Sequence, residues 1–125
     1  MSKGTEHILI VDDEPMLVDI MDRFLSWLGY TVTSFTDSRL ALEWFTQHPD
    51  KVDLVLTDMT MPYLTGTELA KKMLAEKPQL PVILCSGYRE AMNASKAEAM
   101  GIQKFLAKPV DNGILAQSVR SILDN

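Results

Sequence analysis

Three carboxylates (Asp12, Asp13, Asp58), one hydroxyl (Ser86) and one amine (Lys108) are the groups in this chain best suited to chemistry. Carboxylates held a few ångströms apart repel, and each pair costs on the order of several kcal/mol at a partly shielded site. A proton, a cation or a partner normally relieves such crowding. A hard divalent ion with oxygen ligands is the natural relief, and Mg²⁺, which keeps several waters, needs only one or two direct carboxylates. Lys108 would add a positive point charge, while Ser86 and the Gly87 N–H could donate to an oxyanion. A metal, an ammonium, donors and a carboxylate nucleophile are the parts required for phosphoryl transfer. Each residue also has a plain reading by itself. Asp12 and Asp13 suit a loop and a helix start, Asp58 a turn before Met61-Pro62, Ser86-Gly87 a turn, and Lys108 a solvated surface. Four separate chain segments offering matching chemistry favours the joint reading.

That reading requires elements that bring the residues together, and the hydrophobic pattern supplies them. His7-Ile8-Leu9-Ile10-Val11 is nearly all apolar, as a parallel strand covered on both faces should be. Pro15 suits the first position of a helix. Leu17, Ile20, Met21, Phe24, Leu25 and Leu28 then form one helical stripe that ends at Gly29. Residues 31–35 alternate as an edge strand would. Asp37 or Ser38 can cap a second helix with Leu40, Ala41, Trp44 and Phe45 inward, ending before Pro49. A third strand is expected over 52–57 and a third helix from Thr65, with Leu69, Met73 and Leu74 inward. Strands at 81–85 and 104–107 and a helix over 110–123, with Ile114, Leu115, Val119 and Ile122 inward, complete the order. A fourth helix, about 89–100, has mostly alanine at its apolar positions and should be the least firmly anchored. Five strand–helix alternations predict a doubly wound parallel α/β sheet, and its ligands belong beyond the carboxyl ends of the strands. Asp12-Asp13, Asp58, Ser86-Gly87 and Lys108-Pro109 all follow predicted strands.

Composition narrows the function classes. The 125 residues suit one domain, 1–125, with a core of about 7–123. With 12 Lys+Arg against 17 Asp+Glu the net charge is −5, a poor match to a duplex-binding surface. No apolar run approaches the ~20 residues of a membrane span, and no apolar signal-peptide core is present. The single cysteine, Cys85, can form no internal bridge, so a soluble cytoplasmic domain is expected.

Taken together, these segments resemble the receiver domain of two-component response regulators. The likeness rests on Ile8-Leu9-Ile10-Val11-Asp12-Asp13-Glu14, Asp58-Met59-Thr60-Met61-Pro62 followed by Gly66, Leu84-Cys85-Ser86-Gly87, and Lys108-Pro109. The spacing agrees: Asp58 lies 45 residues after Asp13, Ser86 a further 28 on, and Lys108 a further 22. The resemblance implies a flavodoxin-like fold with strand order 2-1-3-4-5 and five helices. It makes Asp58 the phosphoacceptor, charged from a phosphohistidine on a histidine kinase or histidine phosphotransfer protein. Mg²⁺ (or Mn²⁺) would be held by Asp12, Asp13, Asp58 and the Thr60 backbone carbonyl. Lys108 would contact the phosphoryl group, with a bond to Pro109 that is usually cis in the family. Ser86 takes the hydroxyl switch position and Phe105 the aromatic one, where phenylalanine allows a change of burial but no hydroxyl hydrogen bond. Thr60 and Tyr88 occupy the positions that tune phosphoryl lifetime, Tyr88 being expected to lie over the group and restrict water. The partner-binding face would be the fourth helix, fifth strand and fifth helix, which could also support a homodimer. A stand-alone regulator and a receiver cut from a larger protein, such as a hybrid histidine kinase, both fit.

Other motifs are absent or weak. No glycine-rich nucleotide loop occurs. His7, beginning a strand, and His48, before Pro49, lack metal-ligand spacing. Cys85 reads as a small core residue. Trp44 should pack inward and Trp27 lie off the main stripe. A phosphohydrolase would need a second acid two residues after Asp58, where Thr60 stands, so a signalling switch rather than an enzyme is expected. An unphosphorylated interaction module is disfavoured, because every acidic, hydroxyl and amine position is kept.

Overall fold

In the computed structural model, which describes residues 3–87 and 94–125, five strands form one sheet. They are β1 (His7–Val11), β2 (Thr31–Phe35), β3 (Leu54–Asp58), β4 (Val82–Ser86) and β5 (Lys104–Ala107). Every pairing is parallel and the order is β2-β1-β3-β4-β5, the doubly wound flavodoxin-like arrangement. The central position of β1, β3 and β4 explains their unbroken apolar runs: both faces are covered, and all but His7 are buried. The edge strand β2 alternates in sequence and none of its residues is buried.

Helices α1 (Pro15–Trp27), α2 (Ser38–Gln47), α3 (Gly66–Glu76), α4 (Ala94–Ala99) and α5 (Asn112–Leu123) cover the two faces. Successive strand residues point to opposite sides. Leu9, Val11, Val55, Val82 and Leu84 therefore pack with Ala41 and Phe45 of α2, Leu69 and Met73 of α3, and Ala97 of α4. Ile8, Ile10, Leu54, Leu56, Ile83 and Cys85 pack with Leu25 of α1 and with Leu115 and Val119 of α5.

The helix stripes differ in detail from the periodic pattern. Ile20, Leu40 and Ile114 are each about half exposed, while Val18, Ser38 and Ala116 are buried in the same helices. All three exposed residues sit at the rim of a stripe wider than the sheet can cover. In α2 the inward place in the first turn goes to a serine, because that turn packs against loop backbone with polar groups to satisfy. Asp37 caps α2 by accepting the Arg39 N–H. β3 starts at Leu54, two residues later than the pattern suggests, because Pro49–Lys51 forms a 3-10 turn ahead of it. α5 starts at Asn112, capped by the Asp111 carboxylate on the Ile114 N–H. Trp27 is largely exposed, whereas Trp44 packs on the core beside Phe35 and His48. The expected start of the fourth helix, near Arg89, lies outside the described residues.

Candidate functional site

β1 and β3 are neighbours with Val11 beside Thr57, so Asp12, one step beyond β1, stands next to Asp58 at the end of β3. Both aspartates are buried. One oxygen each from Asp12, Asp13 and Asp58 lies within 4.8 Å of the others. Asp12 is fixed at both oxygens: Oδ1 accepts the Glu14 N–H at 3.0 Å and Oδ2 accepts from Lys108 Nζ at 3.2 Å. Lys108 arrives from the far side, just past β5, where its N–H donates to the Ser86 carbonyl at 2.9 Å and its bond to Pro109 is cis.

The ammonium of Lys108 also stands 2.7 Å from Asp58 Oδ1. This approach is an ion pair without hydrogen-bond alignment. Among the described residues Asp58 Oδ1 is the buried side-chain atom left without a hydrogen-bond partner. Burial raises the Asp58 pKa and repulsion from Asp12 adds to it, while the Lys108 contact works the other way. For Lys108, burial favours the neutral amine, but contacts with Asp58 and Asp12 outweigh it and hold the pKa above the ordinary lysine value. One ammonium thus contacts two of three clustered carboxylates, and negative charge is left unmet. A donor set made only of oxygen, clustered this closely and including a buried acceptor with an ion-pair contact but no aligned hydrogen bond, suits a hard divalent cation.

The remaining predicted residues fall at different distances from this centre. Ser86 ends β4 one register step beyond the Asp58–Cys85 pair and is fully buried. Thr60 is exposed two residues past Asp58. Phe105 lies on β5, half-buried against the α2–α3–α4 core. Tyr88 lies outside the described residues. Cys85 adjoins Asp58, but burial pushes its thiol up to about 12, so it remains a neutral core group. A cavity of about 540 Å³ opens beside Asp12, Asp58 and Lys108, walled by Leu17, Ile20 and Met21 of α1 and by Val110 and Leu115.

Gly66 stands in the motif after Asp58, but the contacts that shape this loop gave little sign in the sequence. Gly66 donates its N–H to the Met59 carbonyl at 2.7 Å, and a Cβ there would stand 2.1 Å from the Asp58 carbonyl oxygen. Only glycine allows that approach. Farther out, the Leu64 N–H donates to the Pro62 carbonyl at 2.9 Å around Tyr63, whose φ is 71°. This is a γ-turn of the rare positive-φ form, strained by roughly 1–2 kcal/mol for a residue with a side chain. Ser38 Oγ donates to the Pro62 carbonyl at 2.9 Å and accepts the Leu64 N–H at 3.2 Å, gripping both ends of the turn. The Arg39 guanidinium lies 3.4 Å from the centre of the Tyr63 ring and is itself held by Asp37. A serine in a helix start carries no signature that would reveal this second role.

Residues 8–120 match the family model described as response regulator receiver domain. The transcriptional regulatory protein GlrR of Escherichia coli is 32% identical over 124 residues, covering 99% of this chain and 28% of its own. The 3',5'-cyclic-nucleotide phosphodiesterase regA of Dictyostelium discoideum is 33% identical over 131 residues, covering 99% of this chain and 16% of its own. The chain therefore spans less than a third of these relatives. A crystal structure of a response regulator receiver domain protein from Clostridium thermocellum superposes with a TM-score of 0.90 at 28% identity, covering 95% of this chain and 94% of that one.

Proposed function

The chain belongs to the response regulator receiver family, and from that membership we propose that it is a phosphoacceptor switch charged on Asp58. The observation that carries this reading is the meeting of Asp58, buried at the end of β3, with Asp12 and Asp13 on one side and Lys108 on the other. The donor is a phosphohistidine on a histidine kinase or histidine phosphotransfer protein. A carboxylate oxygen of Asp58 attacks phosphorus, the P–N bond breaks, and the imidazole nitrogen leaves with the bonding pair and takes up a proton. Asp12, Asp13, Asp58 and the Thr60 carbonyl hold Mg²⁺ (or Mn²⁺), which when bound neutralises charge on the phosphoryl oxygens. Lys108 balances a further phosphoryl oxygen, at the cost of its present contacts with Asp58 and Asp12. Ser86 donates to another. Water would otherwise compete at phosphorus, and Thr60 and Tyr88 tune how soon it does so. The domain promotes its own charging and discharge without acting on a separate substrate.

The partner carrying the phosphohistidine fits the apolar cavity between α1 and α5, which brings a docked helix up to Asp58. The output face is α4, β5 and α5, where Ser86 and Phe105 connect the site to the surface and where a second copy could pair. Phe105 responds by burial alone. Residues 1–125 form one receiver unit with a core of about 7–123, acting in the cytoplasm.

Incubation with acetyl phosphate and Mg²⁺, followed by intact-mass measurement, tests the proposal. One added phosphoryl group is expected, absent in Asp58→Asn and absent with EDTA. A wild-type protein that gains no mass, or gains it on another residue, defeats the reading. Steady turnover of small phosphate esters would favour a phosphohydrolase instead.

A further inference from the structure

The loop from Asp58 to Gly66 is tethered at three levels. At its neck the Met59 N–H donates to the Cys85 carbonyl at 2.8 Å and the Met59 carbonyl accepts from Gly66. Midway, Met61 is buried in the α2–α3–α4 core. At the tip, Ser38 of α2 bonds both ends of the strained Tyr63 turn while Arg39 stacks on the Tyr63 ring. Thr60 lies between the neck and the Met61 plug, so the direction of its carbonyl depends on how the rest of the loop is held.

Ser38 is 1% exposed, belongs to a different element and touches none of the carboxylates. A buried hydroxyl that spends its donor and its acceptor on one turn makes that turn's alternatives costly, since each would strand a polar group. We propose that Ser38 is a positioning residue for the metal site: its grip on the Pro62–Leu64 turn presets the Thr60 carbonyl to meet Mg²⁺. The inference rests on the metal reading given above. It extends that reading to α2, a helix that contributes no ligand.

The test is Mg²⁺ affinity of the unphosphorylated protein by titration calorimetry, alongside the Mg²⁺ dependence of phosphorylation by acetyl phosphate. Ser38→Ala should bind Mg²⁺ about fivefold more weakly. Its half-saturating Mg²⁺ for phosphorylation should rise by the same factor, while the rate at saturating Mg²⁺ stays within twofold of wild type. Equal calorimetric affinity in Ser38→Ala and wild type overturns the inference, whatever happens to the melting temperature. So does a lowered rate at saturating Mg²⁺ with no change in affinity. If Ser38→Ala does not fold, Ser38→Cys, similar in volume but a poor hydrogen-bonding group, carries the same expectations. Failure of the wild-type protein to bind Mg²⁺ would strike the metal reading itself, and is thereby told apart from failure of the Ser38 role alone.

Discussion

Lys108 stands between Asp12 and Asp58 and contacts both, which makes it the counter-charge that lets two buried carboxylates coexist. Removing one partner from such a cluster leaves the others uncompensated, which costs more than the pair is worth intact. Lys108→Ala should therefore lose about 2 kcal/mol in urea denaturation at pH 7 with EDTA. Part of that loss should return when Mg²⁺ is added, since a ligand that binds only the folded state stabilises it. An unchanged urea midpoint would mean that water already screens the carboxylates. Asp58 has the opposite sign. Its folded pKa lies above the ordinary aspartate value, first through burial. Its contribution to stability is complete below the unfolded value and is lost as pH rises through the folded one. At pH 7 without metal the ionised carboxylate is a net cost, so Asp58→Asn should be more stable than wild type by about 1 kcal/mol. The gap should narrow as the pH is lowered toward 4. A variant less stable than wild type in EDTA would show that the Lys108 contact outweighs burial.

At the scale of elements, the strand ends do the positioning, and they were legible for a simple reason. β1, β3 and β4 are buried on both faces, so their apolar runs end near the edge of the sheet, and the polar residues of the site, Asp12, Asp58 and Ser86, stand there. Register then places Asp12 beside Asp58, and the family resemblance supplied the roles. What remained hidden was the loop between β3 and α3, whose shape depends on contacts distant in sequence: Ser38 with Pro62 and Leu64, Arg39 with Tyr63, Gly66 with the Asp58 carbonyl. Periodicity reports which face of a helix is apolar, so it favoured Leu40 over Ser38, although Leu40 is about half exposed and Ser38 buried. Gly66 opens α3 directly behind Asp58, and a methyl there would meet the Asp58 carbonyl at 2.1 Å and Leu84 Cδ1 at 2.7 Å. Carbonyl oxygen in a paired strand cannot yield cheaply, so α3 must retreat. Gly66→Ala should cost about 3 kcal/mol by urea denaturation and slow phosphorylation at least tenfold by acetyl phosphate. If stability falls but the rate does not, α3 moves without disturbing Asp58.

Across the whole molecule, the site occupies the carboxyl ends of the strands, and a second polar cluster ties the structure at the opposite end. There Arg120 of α5 donates to Glu6, to the Lys3 carbonyl at 3.1 Å and to Tyr30, and also pairs with Asp124. Gly4 is threaded between Tyr30 and Arg120, with its N–H on the Leu28 carbonyl at 3.1 Å. The segment before β1, the turn after α1 and the end of α5 are thus drawn into one clasp around a guanidinium. The Arg120 hydrogen bond lowers the Glu6 pKa from 4.5 to about 2. A depressed carboxylate stabilises the fold fully above the unfolded value, and that contribution is lost as pH falls through the folded one. The relevant window is therefore pH 4.5 down to 2. A change of that size in a fully shielded pair corresponds to roughly 3 kcal/mol, but the Glu6 side chain is 28% exposed, and screening reduces this to about 1 kcal/mol. Glu6→Gln should be less stable than wild type by that amount at pH 7, with the two curves converging as pH approaches 2. Because the clasp and the carboxylates lie at opposite ends of the sheet, the same variant should take up phosphate from acetyl phosphate at the wild-type rate. A slowed rate in a protein that remains folded would show that α5 carries a displacement from one end of the molecule to the other.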